Sequence, residues 1–249
     1  MQNPPAPSSV DTLYDKEHAD LEDFKFNAQV VDVFPDMINR SVPGYGAIVD
    51  GIGKLSAKFL QDGSTAYDLG CSLGAVCLSI AKHSTASKVH IIGIDNSQAM
   101  VARCKSHVNS YKHNARISIN EADILQLTLQ KCSVVVMNFT LQFIEQSKRE
   151  QLIKSIYNAL EPGGIFIVSE KIKLANETMN AAIIDLHHDF KRDNGYSDLE
   201  ISQKRSALES VMILDEFSTH EQRLKSAGFK EVSIWYQQFN FASFFAIKE

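Results

Sequence analysis

Six polar side chains stand at or beside the ends of short apolar runs: Asp68, Asp95, Asn96, Asp123, Asn138 and Glu170. Between the first two lies Asp68-Leu69-Gly70-Cys71-Ser72-Leu73-Gly74, a glycine-bracketed turn leading into apolar residues at helical spacing. Gly70 and Gly74 suit a turn where a ligand approaches the backbone, and the N–H groups of a following helix suit an anion such as a carboxylate. Asp95 falls 21 residues after Gly74, where a carboxylate can accept from both hydroxyls of a ribose. The dinucleotide fingerprint G-x-G-x-x-G is replaced here by G-x-x-x-G, which favours a nucleoside without a pyrophosphate. Asp123 followed by Ile124 suits an adenine, the acid accepting from the exocyclic amine and the isoleucine lying against the ring. Taken singly, each acid is equally well read as the cap of a following helix. Together they describe one polar edge.

That edge requires a parallel sheet. Apolar runs at Val89–Asp95, Ile117–Ala122, Cys132–Met137 and Ile165–Val168 follow an opening strand that ends at Asp68. Helical patterns intervene: to His83, from a Ser97 cap to Asn109, and from a Ser147 cap to Leu160, where Glu161-Pro162-Gly163-Gly164 stops the helix. Continuous apolar strands alternating with helices predict an α/β sheet covered on both faces, with ligands at the carboxyl ends of its strands. Before it, Asn27–Met37 reads as helical with a break or kink at Pro35. A turn at Ser41–Tyr45 follows, and then a helix carrying Ile48, Ile52, Leu55 and Phe59. After it come helices over 176–192, 198–210 and 219–227, the last stopped by Gly228, and a closing pair of strands at Lys230–Tyr236 and Asn240–Ile247. Residues 1–25 are expected to form a flexible arm and 26–249 a single domain.

Composition excludes several classes. Of 249 residues 44% are hydrophobic and 22% charged, with a net charge of −5, so no basic excess is available for a dedicated nucleic-acid surface. Cys71, Cys77, Cys104 and Cys132 lack paired spacing, which argues against zinc and disulfide frameworks and for free thiols in a reducing cytoplasm. No apolar stretch approaches the roughly 20 residues of a membrane helix, and no cationic leader is evident. A soluble cytoplasmic protein without bound metal is expected.

The glycine turn, the second-strand acid, Asp123-Ile124 and Asn138 resemble the class I S-adenosylmethionine (SAM)-dependent methyltransferases. That resemblance implies a Rossmann-like, mostly parallel seven-stranded sheet with a C-terminal antiparallel hairpin, here with helical insertions. Further blocks are similar to the carboxy-S-adenosylmethionine synthase family: Phe34–Ile38, Ser41–Tyr45, Asn138–Phe143, His187–Arg192 and Glu200–Arg205. This second resemblance runs from about Phe26 to Ile247. It implies conversion of SAM and prephenate to carboxy-SAM and phenylpyruvate. Carboxy-SAM then serves a downstream tRNA carboxymethyltransferase that builds the 5-oxyacetic acid group on wobble uridine. Carried over by motif, the ligand set is Tyr45, Gly70, Cys71, Ser72, Asp95, Asn96, Asp123, Ile124, Asn138 and Arg205. The family is homodimeric, and Arg205 is expected to bind the new carboxylate, reaching into the neighbouring subunit's site.

The implied reaction needs the methyl carbon, made acidic by the sulfonium, to lose a proton and take up carbon dioxide. Prephenate would supply the carbon dioxide and, on aromatisation, a basic species to accept the proton. The protein then needs cations for carboxylates, proximity and exclusion of water rather than a strong base of its own. Arg205 suits a carboxylate by bidentate pairing, although on a helix beside Lys204 it also reads as part of a solvated face. Arg40, Lys171, His188 and Arg192 are further possible anchors for prephenate. His187 and His188 diverge by roughly 100° on a helix and make a poor metal pair. Two other functions stay open: an ordinary SAM-dependent methyltransferase acting on a small molecule or tRNA, and a SAM-binding scaffold without catalysis. Asn138-Phe139-Thr140 lacks the prolines of the Asn-Pro-Pro-aromatic signature of many amino-methylating enzymes, which counts against the former.

Overall fold

A computed structural model describes residues 9–17 and 23–249. Seven strands form one sheet: β1 (Thr65–Leu69), β2 (His90–Asp95), β3 (Arg116–Glu121), β4 (Cys132–Asn138), β5 (Leu160–Lys171), β6 (Val232–Gln238) and β7 (Phe241–Ile247), in the order β3-β2-β1-β4-β5-β7-β6. The first five run parallel, whereas β7 is antiparallel to both β5 and β6. The chain reverses direction across the sheet between β1 and β4. The carboxyl ends of β1, β2 and β4 therefore flank the crevice where such folds bind ligands.

Among the described residues, eight α-helices surround the sheet: α1 (Ala28–Ser41), α2 (Tyr45–Ala57), α3 (Ala75–His83), α4 (Gln98–Asn109), α5 (Gln146–Ala159), α6 (Glu177–Asp193), α7 (Asp198–Glu209) and α8 (Phe217–Ala227). The central strands are apolar throughout because both faces are covered. Val134 and Val136 pack towards the α2–α3 side, and Val135 and Met137 towards the α5–α8 side. α4 begins as its sequence indicates, with Ser97 Oγ accepting from Met100 N at 3.2 Å.

Two helix boundaries differ from expectation. α1 continues through Pro35 to Ser41, since one missing N–H does not outweigh the burial of Val30, Val31, Val33 and Met37 on its inner face. Ser147 does not cap α5. Its hydroxyl donates to the carboxylate of Glu145, the residue in the cap position, and the strand after the helix begins at Leu160, five residues before the expected Ile165.

Residues 1–8 and 18–22, part of the expected arm, lie outside the described residues. The rest of that stretch is irregular and in contact with the body of the protein. Phe24 N donates to Ala207 O at 2.9 Å, Ser97 Oγ donates to Phe26 O at 2.6 Å, and Asp11 is only 2% exposed.

Candidate active site

The turn after β1 is held from β2. Gly70 N and Cys71 N donate to Ile94 O at 2.8 and 2.9 Å, and Ser72 N donates to Asp95 Oδ2 at 2.9 Å. Asp95 Oδ1 accepts from Ser97 N at 2.9 Å, so one carboxylate ties the glycine turn to the start of α4. Burial raises the pKa of Asp95, against the lowering effect of these backbone donors. A carboxylate has about four lone-pair sites, leaving capacity on both oxygens for a ligand's hydroxyls. The glycines answer a different need from the expected one. Gly70 and Gly74 have φ of +83° and +81°; a Cβ on Gly70 would lie 2.2 Å from Thr140 Oγ1, and one on Gly74 2.8 Å from Cys104 Sγ. The obstacle is the protein itself: the loop after β4 and helix α4 press onto the turn.

A cavity of about 380 Å³ opens above these strand ends, within the range of small-molecule sites. Nine of the ten expected ligand residues line it: Tyr45, Gly70, Cys71, Ser72, Asp95, Asn96, Asp123, Ile124 and Asn138. Phe26 and Phe143, in edge contact at 5.4 Å between ring centres, add aromatic wall that the sequence reading did not include. Two acceptors in the lining are buried and carry no hydrogen bond, Asp68 Oδ1 and Asn138 Oδ1. Burial pushes the Asp68 carboxyl up to about 7, opposed by the Cys77 thiol that donates to its Oδ2 at 3.2 Å, with the Asp95 charge raising it further. An unsatisfied buried acceptor is costly, so both atoms call for a donor from a ligand. Phe139, next in line, sits at φ +59°, a left-handed conformation that Cβ-bearing residues rarely adopt.

The far end of the cavity is cationic. Lys171, Lys191, Lys204 and His187 line it. Lys171 is partly buried, while Lys191 and Lys204 are 8% and 5% exposed. Burial brings Lys171 down to about 8. Burial, and then repulsion from Lys171, Lys204 and Arg205, brings Lys191 down to about 7. Neither ammonium has a hydrogen-bond or ion-pair partner among the described residues; Lys171 Nζ lies 5.7 Å from the Phe241 ring centre. His187 is pushed down to about 2, chiefly by burial and then by Lys171 and Lys191, so its neutral ring donates from Nε2 to Ser41 O at 2.8 Å. Behind Lys171, Glu170 is raised to about 8 by burial and accepts from Leu141 N at 2.9 Å.

Arg205 is exposed on α7 and lies outside its own chain's cavity lining, which its neighbour Lys204 joins instead. Of the other possible anchors only Lys171 lines the cavity. Arg40 pairs with Asp36 at 3.1 Å, Arg192 pairs with Asp189 and Asp198 at 2.7 and 2.8 Å, and His188 stands outside the lining. Among the described residues, no group of three or more His, Cys, Asp and Glu could hold a metal, all four cysteines are free, and no helix is long and apolar enough to cross a membrane.

The loops that form the cavity are braced by a buried guanidinium. Arg149 donates through Nε to Ile144 O at 2.8 Å, through Nη2 to Gln142 O and Ile213 O at 3.2 and 2.9 Å, and through Nη1 to Asp215 Oδ2 at 2.7 Å. Arg223 donates to the same Asp215 oxygen at 2.8 Å. These bonds fix the loop after β4 against the strap between α7 and α8.

The sheet order, the glycine turn and the strand-edge acids define a class I SAM-dependent methyltransferase fold. Residues 66–164 match the methyltransferase-domain family. Solved structures agree at the level of fold: an O-methyltransferase family protein from Burkholderia thailandensis (TM-score 0.65, 13% identity, 90% of this chain and 61% of that one) and human N-acetylserotonin methyltransferase in complex with SAM (TM-score 0.59, 18% identity, 89% and 55%). Two curated relatives are far closer. Carboxy-S-adenosyl-L-methionine synthase of Colwellia psychrerythraea is 52% identical over 97% of this chain and 99% of its own length, and that of Pseudoalteromonas translucida is 53% identical over 96% and 98%. The chain belongs to the carboxy-S-adenosyl-L-methionine synthase family of enzymes.

Proposed function

We propose that this enzyme converts SAM and prephenate to carboxy-SAM, phenylpyruvate and water. The observation that carries the reading is the pair Lys171 and Lys191: two ammonium groups without partners, facing the same cavity as the nucleoside-binding strand edge. Partnerless cations withdrawn from solvent are costly unless a ligand neutralises them. Prephenate, with two carboxylates, is such a ligand.

The nucleoside end fits SAM. Asp95 accepts from the ribose hydroxyls, Asp123 accepts from the adenine amine, Ile124 packs on the ring, and the unbonded Asp68 and Asn138 oxygens accept from the amino end. Bound there, SAM supplies a methyl carbon acidified by its sulfonium. The chain's own residues orient the two substrates, hold the carboxylates of the acid and, through Phe26, Phe143 and Phe241, keep water out.

Further features of the reading rest on the family likeness and on the surface of α6 and α7. Met179 is 64% exposed and Leu186 is exposed about two turns along the same helix, apolar positions on one face that support a homodimer. In such a dimer the exposed Arg205 binds the new carboxylate in the neighbouring subunit's cavity. The product supplies a tRNA carboxymethyltransferase for wobble-uridine modification in the cytoplasm, and the net charge of −5 supports a role upstream of tRNA rather than on it.

Purified enzyme incubated with SAM and prephenate tests the reading by mass spectrometry. Carboxy-SAM with phenylpyruvate is the expected result. S-adenosylhomocysteine formed only on adding a methyl acceptor, or SAM bound but unchanged, would replace it with a methyltransferase or a scaffold.

A further inference from the structure

Lys204 differs from the other two cavity lysines because the N-terminal segment supplies its counter-ion. Asp11 Oδ2 accepts from Lys204 Nζ at 3.4 Å and from Tyr196 OH at 2.5 Å. The same residue's N–H donates to Asp36 Oδ2 at 2.8 Å, and its carbonyl accepts from Arg40 Nη1 at 3.3 Å. Arg40 in turn pairs with Asp36 at 3.1 Å, lies 3.9 Å above the Tyr196 ring centre, and donates from Nε to Asn194 O at 2.7 Å. Lys204 completes its shell with Ser41 Oγ at 3.1 Å and Tyr196 Oη at 3.4 Å. On the other side of Asp11, Gln203 Nε2 donates to Tyr14 O and Lys16 O at 3.0 and 2.8 Å, clamping the segment onto α7.

Two acids and two bases, Asp11 and Asp36 with Arg40 and Lys204, make a quartet with no net charge. Outside it, at this end of the cavity, stand Lys171 and Lys191, a neutral His187, and Glu170, which burial keeps largely protonated near neutrality. A bound anion favours the protonated form of both ammonium groups, that of Lys191 with its free value near 7 included, so the cationic end offers a ligand two uncompensated charges although three lysines line it. Asp11 is 2% exposed and its carboxylate is committed to Tyr196 and Lys204, so it does not swing out to leave a third charge bare.

We infer that Asp11 is a positioning residue that determines charge specificity: by fixing and neutralising Lys204 it tunes the cavity to a dianionic acid and against a trianion. The inference rests on reading this end of the cavity as the acid site. Lys204, its three N–H donors committed to Asp11, Ser41 and Tyr196, contributes shape, while Lys171 and Lys191 supply the charge that the acid meets. A trianion would bring one negative charge more than the free cations can match, at an unfavourable desolvation cost.

Binding of two probes at pH 7 in the presence of SAM tests this without turnover: phenylsuccinate, a dianion, and citrate, predominantly a trianion. In Asp11→Asn the freed Lys204 should raise the citrate-to-phenylsuccinate affinity ratio about tenfold, the scale of one buried charge pairing. SAM affinity and melting behaviour report whether the fold survives. In Asp11→Asn/Lys204→Met, where the cluster is again neutral, the ratio should stay at the wild-type value and phenylsuccinate binding should weaken by less than about threefold, whereas Lys191→Met weakens it by about tenfold or more. Lys204→Met alone leaves the Asp11 carboxylate without its cation and should lower the ratio below the wild-type value, which a purely structural role for Asp11 would not produce. An unchanged ratio in Asp11→Asn, or a raised ratio in the double variant, overturns the inference while leaving the acid site in place. Should Asp11→Asn fail to fold, Lys204→Met decides alone: a ratio at or above the wild-type value overturns it. Wild-type enzyme binding neither acid removes the acid site and the inference together.

Discussion

The two ends of the cavity are built on different principles. The nucleoside end is made of residues at or just past strand termini: Asp68, Asp95, Asp123 and Asn138 arrive there because parallel strands must end on one edge, and backbone donors hold Asp95 and Asp123. The acid end is made of Lys171, the last residue of β5, and of inward faces of the helices inserted after it, and its Lys171 and Lys191 have no hydrogen-bond partners among the described residues. One end is braced by backbone donors and leaves two buried acceptors, Asp68 Oδ1 and Asn138 Oδ1, for a ligand's donors. The other holds free energy in reserve, since its exposed-to-cavity ammonium groups are satisfied only by a ligand. A fold shared with distant methyltransferases thus acquires a different reaction through what is added to one side of its crevice.

The strongest way to break this contrast is to remove the residue common to turn and ligand. Asp95→Ala loses the bonds to Ser72 and Ser97 together with those proposed to the ribose, and SAM affinity should fall at least about a hundredfold by calorimetry, two charge-assisted bonds at about 1.5–3 kcal/mol each. Retained affinity would show that the nucleoside lies elsewhere. At the acid end, Lys191→Met should raise KM for prephenate about tenfold or more while SAM binding changes by less than about twofold; parallel losses in both would dissolve the division between the two ends.

Arg205→Ala sharpens the contrast further. In its proposed role at the new carboxylate, Arg205 should affect kcat/KM for carboxy-SAM formation by about tenfold with little effect on SAM affinity. Full activity in this variant would return Arg205 to the solvated surface.

The smallest effect is on stability, with opposite sign. Burial and neighbouring cations hold Lys191 near 7 in the folded protein against its ordinary 10.5. Below the folded value both states are charged and burial of the ammonium costs its full amount. Between about 7 and 10.5 the unfolded chain binds more protons than the folded one, so the cost fades as pH rises. Lys191→Met should therefore stabilise the free enzyme by about 1–3 kcal/mol at pH 6 and by less at pH 9, read from denaturant midpoints. Destabilisation at pH 6 would mean that the lysine has a partner in the free protein.

The same division governs how much of the molecule is legible in its sequence. Strand ends announce their position, because every parallel strand in such a sheet delivers its last residue to one edge. The seven strands, the glycine turn, Asp95, Asn96, Asp123 and Asn138 follow from apolar runs and the polar groups that end them, whereas Tyr45, Cys71 and Ser72 enter the set through the family resemblance. Helix faces do not announce theirs. Neighbouring residues on a helix point roughly 100° apart, and three adjacent pairs at the acid end turn on that angle. On α6, His187 and Lys191 line the cavity while His188 and Arg192 do not, and on α7 Lys204 lines it while Arg205 is exposed. A single inward face on α6 links His187 to Lys191 at i,i+4 spacing, but nothing in the composition of the helix marks it, since Met179 and Leu186 are exposed. Asp11 was beyond reach for another reason: its partners, Tyr196 and Lys204, lie 185 and 193 residues away along the chain.

The central claim is that the two ends hold a cationic nucleoside and a dianionic acid together so that a carboxyl group passes between them. Prephenate carrying ¹³C only in its ring carboxylate, incubated with the enzyme and unlabelled SAM, tests it most directly. Carboxy-SAM bearing the label, with unlabelled phenylpyruvate, is the predicted outcome. A product without the label, or SAM converted only to S-adenosylhomocysteine, would contradict it.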